Sequence, residues 1–171
     1  MVSLIIGNKG SGKTKKLISL INEAVDKSNG TVVCIEKSPL LTYEVTHKAR
    51  LIETERYGVE GTDAFYGMLC GIIAQDHDIT EIFVDATFKI VGRDYEAFAD
   101  LIKKVSDISK LSDIDFVFTV SEDEEKLPAR LFEYAQKLNW LLRFAYLFKV
   151  GGFFWKKLQI FKLYIDKLTL F

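Results

Sequence analysis

Gly7-Asn8-Lys9-Gly10-Ser11-Gly12-Lys13-Thr14 matches the pattern G-x-x-x-x-G-K-[ST], in which a glycine-rich loop wraps phosphate groups. The flanks carry as much information as the motif. Val2-Ser3-Leu4-Ile5-Ile6 is a short apolar run that enters Gly7 directly. Residues 15–25 then place apolar side chains at 17, 18, 20, 21, 24 and 25, which is the period of an amphipathic helix. A strand, a glycine loop and a helix in that order form the P-loop unit. The chemistry accounts for the spacing. Glycines let the backbone curl until successive N–H groups converge on one anion. The helix start adds partial positive charge. In that arrangement Lys13 reaches the β- and γ-phosphates, and the Thr14 hydroxyl serves a Mg²⁺ ion.

Working outward, strands and helices are expected to alternate. Ser28-Asn29-Gly30 stops the first helix, with Gly30 suited to the C-cap. Thr31-Val32-Val33-Cys34-Ile35-Glu36 is the β-branched run of a buried parallel strand. Residues 40–48 suit a loop or a short helix, and residues 49–53 a third strand. Thr62 or Asp63 is placed to cap a helix reaching about residue 75. Glu81-Ile82-Phe83-Val84-Asp85 suits the next strand, and Asp94 the cap of a helix to about residue 109. Phe116-Val117-Phe118-Thr119-Val120 suits the fifth strand. Ser121 and Glu124 have capping-box spacing for a helix starting near residue 122, which Pro128 would end or kink. This alternation predicts an α/β fold: a three-layer α/β/α P-loop NTPase architecture with a mostly parallel five-stranded, RecA-like sheet over residues 1–134. Ligands in such folds sit at the carboxyl ends of the strands.

Composition bounds the alternatives. The 171 residues suit one domain, and an apolar content of 49% supports a true core. The formal net charge of −1 argues against a dedicated nucleic-acid binder. Acids outnumber bases in residues 1–134, and bases outnumber acids in residues 135–171. Cys34 and Cys70 lie in apolar runs and are expected to be buried core thiols. His47 and His77 have no ligand-spaced partner, so no metal role is assigned to them. With no leader-like start, and no apolar stretch of the roughly 18 residues a spanning helix needs, a cytoplasmic protein is expected.

Ile82-Phe83-Val84-Asp85 supplies the second half of a phosphate site. An acid at the tip of a buried strand beside a P-loop, a Walker B element, holds the Mg²⁺ water shell. Many P-loop ATPases follow that acid with a Glu that activates water. Here Ala86 follows. Glu36, at the end of the second strand, is the candidate for that task by analogy with RecA-type recombinases. Thr119 and Ser121 stand where P-loop ATPases place a γ-phosphate sensor, although Ser121 also suits the helix cap. Arg50, Arg56, Lys89 and Arg93 flank strand ends, as phosphate contacts, as fingers onto a neighbouring subunit, or as solvated charges.

Read together, the P-loop, Thr46-His47-Lys48-Ala49-Arg50-Leu51, Asp63-Ala64-Phe65-Tyr66-Gly67, Ile82-Phe83-Val84-Asp85-Ala86-Thr87, Gly92-Arg93-Asp94 and Thr119-Val120-Ser121 resemble a family of small stand-alone P-loop proteins of Firmicutes. That family is often labelled ATP-binding protein or twitching motility protein PilT. The resemblance covers about residues 1–134. It implies ATP binding through Gly10, Gly12, Lys13 and Thr14, and a Mg²⁺ role for Asp85. Genuine twitching-motility ATPases are larger and hexameric, with an additional N-terminal domain.

Residues 135–171 depart from the family. Trp140, Phe144, Tyr146, Phe148, Phe153, Phe154, Trp155, Phe161, Tyr164 and Phe171 alternate with lysines around Gly151-Gly152. A basic amphipathic helical tail is expected, either packed on its own domain or docking on a protein partner or a membrane surface. The expected activity is slow Mg²⁺-dependent ATP hydrolysis, with the phosphates on Gly7, Asn8, Lys9, Gly10, Ser11, Gly12, Lys13 and Thr14. Lys13 and Glu36 would be its catalytic groups, Thr14 and Asp85 its Mg²⁺ residues, and a homo-oligomer one form of the protein. A non-hydrolysing nucleotide switch and a thymidine-kinase-like enzyme stand as alternatives. The kinase reading lacks a Cys-rich or Arg-bearing lid.

Overall fold

A computed structural model describes residues 1–138. Six strands form one sheet: β1 Val2–Ile6, β2 Thr31–Glu36, β3 Arg50–Glu53, β4 Ile79–Val84, β5 Asp115–Val120 and β6 Gln136–Lys137. Their order is β3-β2-β4-β5-β1-β6, and each pairing is parallel. The helices are α1 Lys13–Lys27, α2 Thr62–Gln75, α3 Thr87–Val91, α4 Tyr95–Ser112 and α5 Leu131–Tyr134.

The strands are apolar on both sides, and their period of two divides the core. Val2, Leu4, Val33, Ile35, Ile82, Val84, Phe116, Phe118 and Val120 pack in one cluster with Phe65 and Leu69 of α2 and Phe98, Leu101, Ile102 and Val105 of α4. The alternate residues face α1, which buries Leu17, Leu20, Ile21 and Ala24 at the spacing of one helical face. Helix α1 packs on β1, β2, β4 and β5, whereas α2 and α5 pack on α4. Helices therefore lie on both faces, with α1 on one and the others opposite. Beside α1 the loop between β2 and β3 helps close its face. Leu41 of that loop is buried, and the Thr46 N–H donates to Asn22 Oδ1 of α1 at 3.2 Å.

Several details differ from the sequence expectations. The sheet has six strands rather than five. The sixth, Gln136–Lys137, pairs with Ser3 and Leu4 and comes from residues that composition assigns to the tail. No helix starts at residue 122, only a 3₁₀ turn at Glu124–Lys126. The Glu124 carboxylate of the expected box pairs instead with Lys137, and the neighbouring Glu122 accepts from Arg93, Tyr95 and Lys126. Ser121 is accordingly not a helix cap. Residues 87–91, between the expected fourth strand and the helix capped by Asp94, form α3. Gly61, not Thr62 or Asp63, is the N-cap of α2. Ser28 is the C-cap of α1. Gly30 is needed instead for close approach, since a Cβ there would lie 2.1 Å from the Asp78 carbonyl oxygen. Cys34 is fully buried as expected, but Cys70 is only half-buried.

The expected tail helices over 139–171 lie outside the described residues. Among those described, no helix is long and apolar enough to cross a membrane.

Helix α4 shows its boundary chemistry at both ends. The Asp94 carboxylate accepts from the Glu96 and Ala97 N–H groups at 3.1 and 3.0 Å. Asp113 closes the other end at φ 55°, in the left-handed region that favours glycine. Substitutions at the two ends should act with opposite sign. Asp94→Ala should cost about 0.5–2 kcal/mol of stability. Asp113→Gly should raise stability by up to about 1 kcal/mol through relief of backbone strain. Urea unfolding followed by circular dichroism checks both.

Candidate functional site

The parallel register gathers polar residues into one row at the carboxyl edge. Ile35 pairs with Val84, and Val84 with Phe118. One residue further on, Glu36, Asp85 and Thr119 therefore stand level on neighbouring strands. Ile5 is paired with Thr119, and Glu53 with Glu36. In a parallel sheet, paired residues share a face. The whole row Glu53–Glu36–Asp85–Thr119–Ile5 thus faces α1, whose first residue is Lys13.

The loop from Gly7 to Gly12 joins that edge to α1. The Gly7 N–H donates to the Val120 carbonyl at 3.2 Å, which docks the loop on β5. The Ser11 N–H donates to the Asn8 carbonyl at 3.1 Å. Gly10 and Gly12 have φ of 86° and 80°, which a side chain would strain. Gly12 is also the N-cap of α1, and its carbonyl takes the first helical bond, from the Lys16 N–H. The first-turn N–H groups have no intrahelical acceptor, and no acid stands in that turn. A loop of this shape ending in an acid-free helix start is suited to an anion.

Three side chains converge on it. Lys13 is 8% exposed, and its Nζ donates to the Asn8 carbonyl at 2.8 Å and to Ser11 Oγ at 3.4 Å. Burial lowers the Lys13 pKa below the usual lysine value, and the negative charge of Asp85 works against that shift. Thr14 Oγ1 lies 3.3 Å from both oxygens of Asp85. Asp85, also 8% exposed, accepts from Thr119 Oγ1 at 2.8 Å. Its own N–H donates to the Ile35 carbonyl. Thr14 and Asp85, 71 residues apart in sequence, are thereby brought into contact.

Glu36 stands one strand further along. It is 2% exposed, and its carboxylate holds the following loop. Oε2 accepts from the Leu40 and Leu41 N–H groups at 2.9 and 3.0 Å, while Oε1 has only a 3.4 Å contact from Leu41. Burial raises the Glu36 pKa, the two N–H bonds oppose this, and Glu53 and Asp85 add to the rise. Cys34, on the same strand face, is pushed well above the usual thiol range by burial and by the charges of Glu36 and Asp85. It remains a neutral thiol.

The remaining candidates are dispersed. Arg50 on β3 donates to Gln75 at 3.1 Å. Arg93 forms a 2.9 Å ion pair with Glu122 and lies over the Phe88 ring. Neither is directed at the loop. Among the described residues no group of three His, Cys, Asp or Glu could hold a metal. Mg²⁺ keeps several waters and needs only one or two protein oxygens beside phosphate. The hydroxyl of Thr14 and the carboxylate of Asp85 form such a hard-oxygen pair.

Two residues that sequence reasoning did not connect to the loop support it. Asp123 Oδ1 accepts from Asn8 Nδ2 at 2.5 Å. Its neighbour Glu122 accepts from Arg93, Tyr95 and Lys126, and from the Asp123 N–H. The capping-box spacing concealed both, because it assigned this segment to a helix start.

No protein-family model matches the chain, and no curated protein matches it.

Glu122 offers a pH test of this support. Hydrogen bonds from Tyr95, Lys126 and the Asp123 N–H hold its pKa at about 2, below the ordinary 4.5. A depressed folded-state pKa contributes stability above the unfolded value and loses it as pH falls through the folded value. Glu122→Gln should therefore be less stable than wild type at pH 7, and the gap should narrow between about pH 4.5 and 2. Thermal melts across that range measure it.

Proposed function

We propose that this chain is an ATP-binding P-loop NTPase that hydrolyses ATP slowly with Mg²⁺. The observation that carries the reading is the contact between Thr14 on the glycine loop and Asp85 on a distant strand tip, with Lys13 at the same helix start. The sheet order supports it. The strand that feeds the loop is separated from the Asp85 strand by β5, which delivers Thr119 between them. The P-loop, RecA-like variety of α/β fold belongs to the same proposal, as does kinship with the small stand-alone P-loop proteins.

In this reading Gly7 to Thr14 bind the phosphates through backbone N–H groups and the helix start. Lys13 exchanges its bond to the Asn8 carbonyl for phosphate oxygens and stabilises the charge that develops on them. Mg²⁺, when bound, would supply neutralisation of the phosphate charge. Thr14 and Asp85 are the residues that would hold it and its water shell. Glu36 orients the attacking water. Its Oε2 is committed to two N–H bonds, but Oε1 has lone pairs left to accept a water proton.

One observation favours a non-hydrolysing switch as the second reading. Glu36 already holds the loop that carries exposed Leu40 and Tyr43, and Ala86 stands where an activating acid would follow Asp85. Any coupling to a protein partner, a membrane surface or a second copy belongs to either reading.

The experiment is Mg²⁺-dependent ATP hydrolysis measured beside equilibrium binding of ATP. Lys13→Ala is expected to abolish detectable binding at micromolar nucleotide. Glu36→Gln is expected to keep binding and lose turnover by about 10²–10⁴-fold, the usual share of a general base. Turnover that survives in Glu36→Gln removes Glu36 from the reaction. Tight binding by wild type with no turnover selects the switch.

A further inference from the structure

We propose that Thr119 is the positioning residue that aims the Asp85 carboxylate at the cation of the nucleotide site, rather than a sensor of the γ-phosphate. The inference rests on the nucleotide reading above and specifies how its metal ligand is held.

A threonine has a single O–H donor and two lone pairs. Thr119 is 1% exposed, and its Oγ1 donates to Asp85 Oδ1 at 2.8 Å. The same oxygen accepts from the Ala86 N–H at 2.8 Å. The donor is therefore spent on Asp85. To donate to phosphate, Thr119 would have to leave a buried carboxylate short of a partner, which is costly.

Ala86 has φ 49° and ψ 42°, the left-handed region, which few non-glycine residues adopt. The chain thus turns sharply just past Asp85, and the N–H at that turn is the one Thr119 holds. A single side chain fixes both the carboxylate and the bend that follows it. The Thr14 contacts to Asp85 are longer, 3.3 Å to each oxygen. The Thr119 bond is thus the shorter restraint on Oδ1. Oδ2, with only the longer Thr14 contact, remains for the cation's water shell. Partners that orient a metal ligand in this way commonly set metal affinity by about 10–100-fold.

The test uses the full chain and a fluorescent ATP analogue, titrated with and without Mg²⁺. Thr119→Val keeps the shape and removes the hydroxyl, and Thr119→Ser restores it. In Thr119→Val the Mg²⁺ concentration for half-maximal enhancement of binding should rise by about 10–100-fold. Metal-free affinity should stay within about twofold of wild type, because the phosphate N–H groups are untouched. Thr119→Ser should return the Mg²⁺ response. In the ligand-free protein, the Ala86 amide should exchange faster in Thr119→Val than in wild type. If the valine variant loses its circular-dichroism signature, Thr119→Cys takes its place with the same expectation, since a thiol is a far weaker donor.

A wild-type Mg²⁺ response in a folded valine or cysteine variant overturns the proposal. So does an equal loss of affinity with and without Mg²⁺, which would place Thr119 on the phosphates. Absence of nucleotide binding by the wild-type chain is a different result, and overturns the nucleotide reading itself.

Discussion

A buried carboxylate at the end of β4 ties the site together. Asp85 is almost completely enclosed, so its oxygens must be hydrogen-bonded to be tolerated there. The carboxylate is met from two places that are remote in sequence, Thr14 at the start of α1 and Thr119 at the end of β5, while the Asp85 backbone N–H donates to the Ile35 carbonyl of β2. Each bond requires its strand to end at the right level. The parallel register meets that requirement by pairing Ile35, Val84 and Phe118 across three neighbouring strands.

The division of the sheet into two faces gives the site its surroundings. The larger apolar cluster lies under α2 and α4 and carries most of the aromatic side chains among the described residues. Among the described residues the other face has a single helix, α1, and its carboxyl end is polar: Glu36, Asp85 and Thr119 stand where apolar residues continue on the opposite side. Buried polar groups of this kind are sustained by networks in which each member has a partner. Asp85 lies close enough to Lys13 for its charge to oppose the lowering of the lysine pKa by burial. Glu36 is held by two backbone N–H groups. The same carboxylate therefore belongs both to the row of polar residues and to the loop between β2 and β3, and movement of either is felt by the other.

Much of this was legible without coordinates, and the failures have a common cause. The strands appeared as β-branched runs, and α1, α2 and α4 as periodic apolar stripes, because those signals are local. Asp94 as a cap was also local, and it holds. Ser121 and Glu124 had equally good local spacing, but their segment does not become a helix. Glu122 is taken by Arg93, Tyr95 and Lys126, and Glu124 by Lys137. Local cap chemistry is worth about 1 kcal/mol, so a few charged tertiary bonds suffice to outweigh it. The two-residue strand β6 was invisible for a related reason. Nothing in Gln136 or Lys137 favours a strand until β1 offers an edge.

The amino-acid sequence by itself determined the glycine loop, the strand before it, the helix after it, and the alternation that makes a parallel α/β sheet. Backbone freedom at glycine, capping at Asp94 and the apolar period depend only on neighbours along the chain. It also pointed to Asp85 as an acid at a strand tip. Only the tertiary structure decided which groups meet that acid. Strand order and register are set by packing over long sequence distances, and they place Thr119 against Asp85, Asp123 against Asn8, and Glu36 against its own loop. Those pairings follow from how the sheet is assembled, and no spacing along the chain encodes them.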